Sequence, residues 1–159
     1  MANYCFNRLA FESPEDLEKA RCLFEGKDIN GEDKDFTFNV LVPMPPEIFR
    51  GDIGTDRIHD PTAWYQWSLD NWGTKWDATQ IQFDCDTIDF VTMWSEPALW
   101  LKVLAERLEA IGVQGAVLRY AVEGGFGSGW YDLDGGCAVE MGDDKAWEHA
   151  CLGDDEEDE

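Results

Sequence analysis

The densest group of potential cation ligands lies in one short polar stretch, and its members are Asp28, Asn30, Glu32, Asp33 and Asp35. Carboxylate and amide oxygens bind hard cations such as Ca²⁺. An EF-hand loop needs glycine at its sixth position and glutamate at its twelfth, whereas Gly31 is fourth when Asp28 is first. We therefore interpret this stretch as a solvated acidic loop, and Asp132-Leu133-Asp134-Gly135-Gly136 in the same way.

Side chains suited to nucleophilic or phosphate chemistry are few and badly spaced. The two histidines, His59 and His149, form no metal-binding or nucleophilic set with a cysteine, because Cys151 and His149 are two residues apart and would point away from each other on a helix. Gly-x-Gly-x-Gly in residues 124–129 joins two predicted strands and precedes no Lys-Ser or Lys-Thr pair. We expect no enzyme, no cofactor and no metal. A metal-dependent enzyme with acidic ligands is the alternative to this expectation. Such an enzyme would retain a cation through dialysis.

The net charge is the strongest functional feature of the sequence. Asp and Glu outnumber Lys and Arg by 34 to 12, which gives −22. Duplex DNA carries one negative charge per about 1.7 Å, so this charge equals that of about 11 base pairs. It argues against direct binding to nucleic acid or to an anionic membrane. Residues 154–159 hold six of the acidic groups, so most of the charge belongs to the body of the protein.

Composition and cysteine usage indicate a folded cytoplasmic protein. The chain is 44% apolar and 13% aromatic, enough for a hydrophobic core in 159 residues. Its five cysteines include no Cys-x-x-Cys pair, and an odd number argues against a complete disulfide framework. A reducing compartment fits best. We find no signal-peptide pattern and no apolar run of membrane-spanning length, so we expect a soluble protein.

Four of the eight tryptophans lie within residues 64–77. Each can bury about 150–250 Å², so this stretch is predicted to anchor the core. A base-stacking surface is the alternative, but the acidic body would repel phosphates. We expect Lys75 to make either a cation–π contact or a buried pair with Asp77. The predicted structural motif comprises Trp64, Trp67, Trp72, Gly73, Lys75, Trp76 and Asp77.

Hydrophobic periodicity and capping residues predict the elements. The first expected helix is capped by Ser13 and has Leu17, Ala20 and Phe24 on one face, and the second begins at Asp60-Pro61 and ends at Gly73. The third is capped by Ser95, ends at Gly112 and carries Leu101, Leu104, Leu108 and Ile111 at helical spacing; a short fourth helix covers Asp143 to Leu152. The strands expected are Tyr4 to Phe11, Thr79 to Cys85, Ile88 to Trp94, Ala116 to Glu123, and a Gly-rich strand Phe126 to Leu133 at an edge or a bulge.

This order predicts an α+β fold with a ferredoxin-like antiparallel sheet and two main helices on one face. Residues 1–153 would form one domain, with a Pro/Trp-rich insertion over residues 27–78 after the first helix. Within it lie a polar loop over residues 27–35 and the proline run that begins at Pro43. The acidic tail, residues 154–159, is predicted to be disordered.

Several phrases resemble one family. They are Cys5-Phe6-Asn7-Arg8, Val42-Pro43-Met44-Pro45, Trp64-Tyr65-Gln66-Trp67, Asn71-Trp72-Gly73-Thr74-Lys75-Trp76-Asp77-Ala78, Trp94-Ser95-Glu96-Pro97 and Glu123-Gly124-Gly125-Phe126-Gly127. In this order, from about Cys5 to Trp130, they resemble the YubB/Api-like family of phage and plasmid proteins. The chain departs from the pattern at Glu96, where the family has a second proline, and in its acidic terminal segment. The resemblance implies a ferredoxin-like fold, a mobile-element origin and residence in a bacterial cytoplasm, but no established activity.

Charge and resemblance together predict a non-enzymatic inhibitor of a host defence system, such as a CRISPR effector or a restriction enzyme. As an acidic nucleic-acid mimic it would block a basic DNA- or RNA-binding surface on a host protein. The alternative is a protein-binding module that uses an apolar surface or a sheet edge, for instance residues 126–133. Homo-oligomers are possible in either case. The predicted partner-binding residues are Asp28, Glu32, Asp33, Asp35, Asp84, Asp86, Asp89, Asp143 and Asp144.

Overall fold

A computed structural model describes residues 3–153, so the predicted disordered tail lies outside the described residues. The strands are β1 (Tyr4–Ala10), β2 (Gly26–Lys27), β3 (Asp33–Lys34), β4 (Thr79–Phe83), β5 (Thr87–Met93), β6 (Val117–Val122), β7 (Gly127–Asp132) and β8 (Val139–Gly142). The helices are α1 (Pro14–Ala20), α2 (Trp64–Asn71), α3 (Ala98–Ala110) and α4 (Lys145–Leu152). The predicted α+β class is confirmed. No helix in residues 3–153 combines the length and apolarity needed to cross a bilayer.

Six strands form one antiparallel sheet in the order β4-β5-β1-β6-β7-β8, and β2 pairs with β3 in a separate hairpin. β1 is central because its alternating side chains bury Cys5, Asn7 and Leu9 on one face. Asn7 is polar and buried, and its Nδ2 donates to the Cys5 carbonyl at 3.1 Å and to Thr92 Oγ1 at 3.0 Å. The amide is therefore satisfied inside the core.

The first helix forms as its sequence predicts, but it is short. Ser13 Oγ accepts the Asp16 N–H at 3.2 Å, which confirms the predicted cap. The α-helix ends at Ala20, and a 3₁₀ turn over residues 21–23 continues the chain. Phe24 is fully buried just beyond that turn. The residue thus reaches the core without the longer helix that the spacing suggested.

Two predicted helix starts are wrong. α2 begins at Trp64 rather than at Pro61, because the Asp60 carboxylate closes a turn by accepting the Thr62 N–H at 2.8 Å. Ser95 does not cap α3, since its hydroxyl donates to the Gly73 carbonyl at 2.9 Å and the chain enters the helix after Pro97. Both side chains are occupied by local or tertiary bonds that compete with capping.

The predicted ends of these two helices are confirmed at their glycines. Gly73 has a φ of +83°, and its N–H donates to the Ser68 carbonyl at 3.1 Å, as in a glycine-terminated helix. A Cβ at Gly73 would lie 2.8 Å from the Leu99 backbone nitrogen, so α2 and α3 approach closely there. Gly112, with φ +77°, follows α3. The leucines predicted to face inward, Leu101, Leu104 and Leu108, are buried.

The Gly-rich strand is not at an edge, which corrects the prediction for residues 126–133. β7 pairs with β6 on one side and with β8 on the other. β8 was not predicted, and its four residues are all exposed. A register shift between Trp130 and Tyr131 does interrupt the β7–β8 pairing, so the bulge alternative holds. The polar loop over residues 27–35 likewise contains the β2–β3 hairpin.

The core is centred on Trp100 of α3, outside the tryptophan-rich stretch. Its ring centroid lies 4.7 Å from that of Phe38 and 5.7 Å from that of Phe36, and both phenylalanines belong to the insertion. Trp72 is the other fully buried tryptophan. The opposite face of the sheet is covered by α4, where Trp147 Nε1 donates to the Phe6 carbonyl at 3.3 Å. The insertion thus completes the core on one face, and the closing helix covers the other.

Candidate functional site

The tryptophan-rich stretch is mainly structural. Trp67 and Trp72 are buried, while Trp64 and Trp76 are half-buried and meet edge to face at 4.9 Å. The Trp64 indole donates to the Gly51 carbonyl and the Trp72 indole to the Val42 carbonyl, both at 2.9 Å. These bonds tie the stretch to the rest of the insertion, as the core-packing interpretation requires.

Asp77 fixes the end of that stretch. Its carboxylate accepts the Phe38 N–H at 2.9 Å, the Ala78 N–H at 2.8 Å and the Thr37 hydroxyl. Burial raises the pKa of Asp77 above its ordinary value, although these hydrogen bonds act in the opposite direction. Lys75 lies 5.7 Å above the Tyr65 ring. The predicted cation–π contact of Lys75 therefore forms with a tyrosine, and the predicted Lys75–Asp77 pair is wrong.

The acidic loop and the tryptophan-rich stretch border a cleft of about 370 Å³. Asp28, Glu32 and Lys34 line one side, and Trp76 and Asp77 are among the residues of the other. The Asp28 carboxylate accepts the backbone N–H groups of residues 30 and 32 at 2.8 and 3.0 Å, so it organises the loop itself. Within residues 3–153, no three His, Cys, Asp or Glu side chains are grouped to hold a metal ion.

Four of the nine predicted partner-binding carboxylates already have a cationic neighbour. Asp89 forms a two-pronged pair with Arg8 at 2.7 and 2.8 Å, and that guanidinium also stacks on Trp147. Asp144 accepts the Trp147 N–H as the cap of α4 and lies 3.5 Å from Arg119. Glu32 and Asp33 form exposed pairs with Lys34 and Lys27 at 3.5 and 2.6 Å.

The other five predicted carboxylates lie in separate places. Asp28 and Asp35 belong to the β2–β3 region, and Asp84 and Asp86 form the turn between β4 and β5. Asp143 precedes α4 on the outer face of the sheet. The structure thus places these five residues in three regions, and the β4–β5 turn adjoins several further carboxylates.

Those further carboxylates form what we call the acidic end of the sheet. The Phe11 N–H donates to the Asp86 carbonyl at 2.8 Å, which places the β4–β5 turn beside the end of β1. Across the next strand, the Gly115 N–H donates to Asp134 Oδ1 at 3.2 Å, and the Glu12 carboxylate lies against the same glycine. The acidic end comprises Glu12, Asp84, Asp86, Asp132 and Asp134.

No local pattern singled out Glu12, and the spacing around Asp132 and Asp134 suggested metal ligands rather than a binding surface. Glu12, Asp132 and Asp134 all adjoin the ends of predicted strands. The antiparallel strand order could have indicated that they lie together, because it brings alternate strand ends to one side of a sheet. Residues 12, 86 and 134 lie far apart in the chain, so no local spacing reveals them.

At the opposite end of the same strands lie three exposed aromatic side chains, Tyr4, Trp94 and Phe126, which we call the aromatic end. Their exposed fractions are 37%, 47% and 73%. Trp94 has a φ of +74°, a conformation that costs a bulky residue about 1–3 kcal/mol. Its N–H donates to the Asn3 carbonyl at 2.8 Å, and the Tyr4 N–H donates to Glu123 Oε1 at 2.8 Å. β1 separates the two ends by about 20 Å.

A second feature missed from the sequence is a pair of tyrosine–carboxylate contacts near the start of α3. Tyr131 donates to Glu96 Oε2 at 2.6 Å, and Tyr120 donates to Glu140. Burial raises the pKa of Glu96, and burial together with the adjacent carboxylates raises the pKa of both tyrosines. A phenol with a raised pKa is a weaker acid and stays protonated at neutral pH, so both tyrosines act as hydrogen-bond donors here. Tyr131 ties β7 to the residues before α3, and Tyr120 ties β6 to β8.

Two cysteines are also poorly suited to nucleophilic chemistry. Burial raises the pKa of Cys5 to about 12 and that of Cys151 to about 11. The thiolate is the reactive form, and at neutral pH it is scarcely populated at either position. Cys151 faces the Arg8–Asp89 pair from α4, where it contributes to packing.

Comparison of the chain with protein-family models, with curated proteins and with solved structures finds no match. The class of protein is therefore described by its fold and its surface. It is an α+β protein whose sheet presents carboxylates at one end and aromatic rings at the other.

Proposed function

We propose that the protein is a non-enzymatic inhibitor that imitates nucleic acid and occupies a basic DNA- or RNA-binding surface of a host defence protein. The acidic end carries the proposal. Its carboxylates lie along five neighbouring strand ends, those of β4, β5, β1, β6 and β7, which span about 19 Å at the usual strand spacing. One DNA strand carries about five to six phosphates over that length. Five carboxylates in the same span give a similar linear charge density.

The charge of the protein has little internal compensation. The 34 acidic residues less the six of the tail leave 28. Seven ion pairs to Lys or Arg form within residues 3–153, so about three quarters of these carboxylates lie outside ion pairs. Such uncompensated charge destabilises a compact protein through self-repulsion, and it accelerates association with a cationic partner.

The biological setting follows from the resemblance in the sequence. A phage or plasmid protein in a bacterial cytoplasm would meet CRISPR effectors and restriction enzymes, whose basic grooves hold nucleic acid. A ferredoxin-like fold is part of this proposal. Supporting it, the four strands β4, β5, β1 and β6 have the neighbours and the antiparallel directions of that fold, with β7 and β8 as an extension. Of the nine carboxylates named from the sequence, Asp84 and Asp86 belong to the acidic end, and the other seven would contribute to a wider attractive field around the protein.

The test compares two variants of equal charge. One neutralises the acidic end, and the other neutralises four exposed glutamates elsewhere. The substitutions are Glu12→Gln, Asp84→Asn, Asp86→Asn and Asp134→Asn in the first, and Glu15→Gln, Glu25→Gln, Glu47→Gln and Glu106→Gln in the second. Binding to purified CRISPR effectors and restriction enzymes is measured by surface plasmon resonance at low and high salt, with and without their DNA or RNA.

We expect binding that weakens steeply with salt, that competes with nucleic acid, and that falls at least about tenfold in the acidic-end variant but much less in the control. Binding that persists at high salt, or that coexists with bound nucleic acid, would contradict the mimicry proposal. Equal losses in both variants would show that the total charge matters and that the acidic end does not.

A second candidate, recognition through the open sheet edge, is favoured by β8. It is the last strand of the sheet, and Val139 and Met141 are each 51% exposed. A partner strand could extend the sheet there. This binding would depend weakly on salt, would survive neutralisation of the acidic end, and would be lost in a Val139→Lys/Met141→Lys variant.

A further inference from the structure

Inside this protein, arginine is repeatedly held by an aromatic ring and a carboxylate together. In three cases the guanidinium carbon lies 4.1 to 4.8 Å from a ring centroid while its nitrogen contacts a carboxylate at 2.7 to 3.0 Å. The three sets are Arg8 with Trp147 and Asp89, Arg21 with Phe83 and Glu18, and Arg57 with Phe49 and Asp60. The planar guanidinium suits this arrangement because it stacks and donates in its plane at once.

The aromatic end presents the same two kinds of group without the cation. Glu123 uses Oε1 to accept the Tyr4 N–H, and no Lys or Arg of residues 3–153 forms an ion pair with it. The Trp94 N–H donates to the Asn3 carbonyl. The Asn3 side chain and the Phe126 ring both lie beside Gly124. The exposed rings and the Glu123 carboxylate thus lie at the same end of the sheet, with β1 between Trp94 and Glu123.

The backbone at Trp94 adds an independent observation. A φ of +74° is a conformation that glycine or asparagine adopts far more readily than tryptophan. The indole is nevertheless 47% exposed, so burial does not account for its presence as it does for Trp72 or Trp100. Strained residues of this kind cluster at active sites, ligand clamps and switch regions.

We propose that the aromatic end binds an arginine side chain of the basic partner. The inference rests on the proposed function. The acidic end would attract the basic partner over a long range, and the aromatic end would select arginine over lysine. A lysine ammonium would gain the same Coulomb attraction, but it cannot stack its charge flat on an indole while donating to Glu123. The two ends, about 20 Å apart along β1, would contact different parts of one basic surface.

The experiment measures fluorescence anisotropy of a labelled oligo-arginine peptide and of an oligo-lysine peptide of equal length, across a salt titration. Three proteins are compared: the natural chain, a Trp94→Asn/Phe126→Ala variant, and a Val139→Ala/Met141→Ala control that removes similarly exposed apolar groups from the edge strand. Asparagine is chosen because it tolerates positive φ, so the backbone at Trp94 is retained. Thermal unfolding of each protein verifies the fold.

For the natural chain and the control, we expect the arginine peptide to bind about fivefold or more tightly than the lysine peptide, with the preference persisting as salt weakens both. The aromatic-end variant should bind the two peptides equally. Equal affinities in the natural chain, or an unchanged preference in the variant, would overturn this inference while leaving mimicry intact. Failure of both peptides to bind in a salt-dependent way would overturn the proposed function and this inference together. Should the double variant unfold, Phe126→Ala alone provides the comparison, since its ring is 73% exposed.

Discussion

Replacement of Asp77 tests whether its buried carboxylate holds the insertion to the sheet. In Asp77→Ala, three donors lose their acceptor: the Thr37 hydroxyl and the N–H groups of Phe38 and Ala78. Thr37 and Phe38 are fully buried, so water cannot replace the lost bonds. At about 1 kcal/mol for each bond, and more where a donor stays unsatisfied, the free energy of unfolding should fall by about 3 kcal/mol or more. For a chain of this size the melting temperature should fall by about 6–12 °C.

Asp77→Asn separates hydrogen bonding from charge. The asparagine oxygen can still accept both backbone N–H groups, and its amide can donate to the Thr37 hydroxyl. Because burial raises the pKa of Asp77 in the folded protein, its stabilising contribution is complete below the unfolded-state pKa and is lost as pH rises through the folded-state pKa. At pH 7 the asparagine variant should therefore equal or exceed the natural chain in stability, and its stability should depend less on pH.

Urea unfolding followed by tryptophan fluorescence, at pH 7 and at a pH near the carboxyl range, measures both effects. Glu47→Ala, at an exposed position, is the control for loss of one negative charge. A loss of less than about 1 kcal/mol of unfolding free energy in the alanine variant would contradict this role of Asp77, and so would an asparagine variant as unstable as the alanine variant at pH 7.

Two further predictions concern the packing of the helices. Gly73→Ala should destabilise the protein by more than about 1 kcal/mol, because φ is +83° and the new methyl group would lie 2.8 Å from the Leu99 nitrogen. The control is Gly31→Ala, which should destabilise the protein less, because Gly31 has φ +79° but open space around it. Equal losses of unfolding free energy in urea titrations of the two variants would contradict this prediction. Arg8→Met should cost about 1 kcal/mol through its lost ion pair and its lost stack on Trp147. Hydrogen exchange should then accelerate in α4, and unchanged exchange there would show that the helix is held independently.

Local patterns predicted much of the fold. The alternation in residues 79–94 gave the β4–β5 hairpin, and the leucine spacing gave the buried face of α3. Ser13 capped its helix because no tertiary partner competed for its hydroxyl. Ser95 failed as a cap because its hydroxyl donates a hydrogen bond to the carbonyl of Gly73, 22 residues earlier. Helix starts thus depended on partners that sequence spacing does not show.

The candidate site was harder to predict, because it depends on which strands become neighbours. β8 is short and wholly exposed, so it lacks the apolar alternation that indicates a strand. Without it, β7 looked like an edge. Similarly, the Arg8–Asp89 pair joins residues 81 positions apart, and Glu12 and Asp134 meet only through the β1–β6–β7 order. The acidic composition was evident from the sequence, but the sequence did not show which carboxylates form ion pairs and which do not.

The open strand β8 also bears on how copies of this protein behave toward one another. An unpaired edge with exposed Val139 and Met141 is a template for sheet-to-sheet aggregation. At neutral pH, mutual repulsion between molecules of charge −22 opposes such stacking. Near the isoelectric point of about 4.1 that repulsion vanishes. The same carboxylates that we assign to a basic partner therefore protect the sheet from self-association, and acidification would remove that protection.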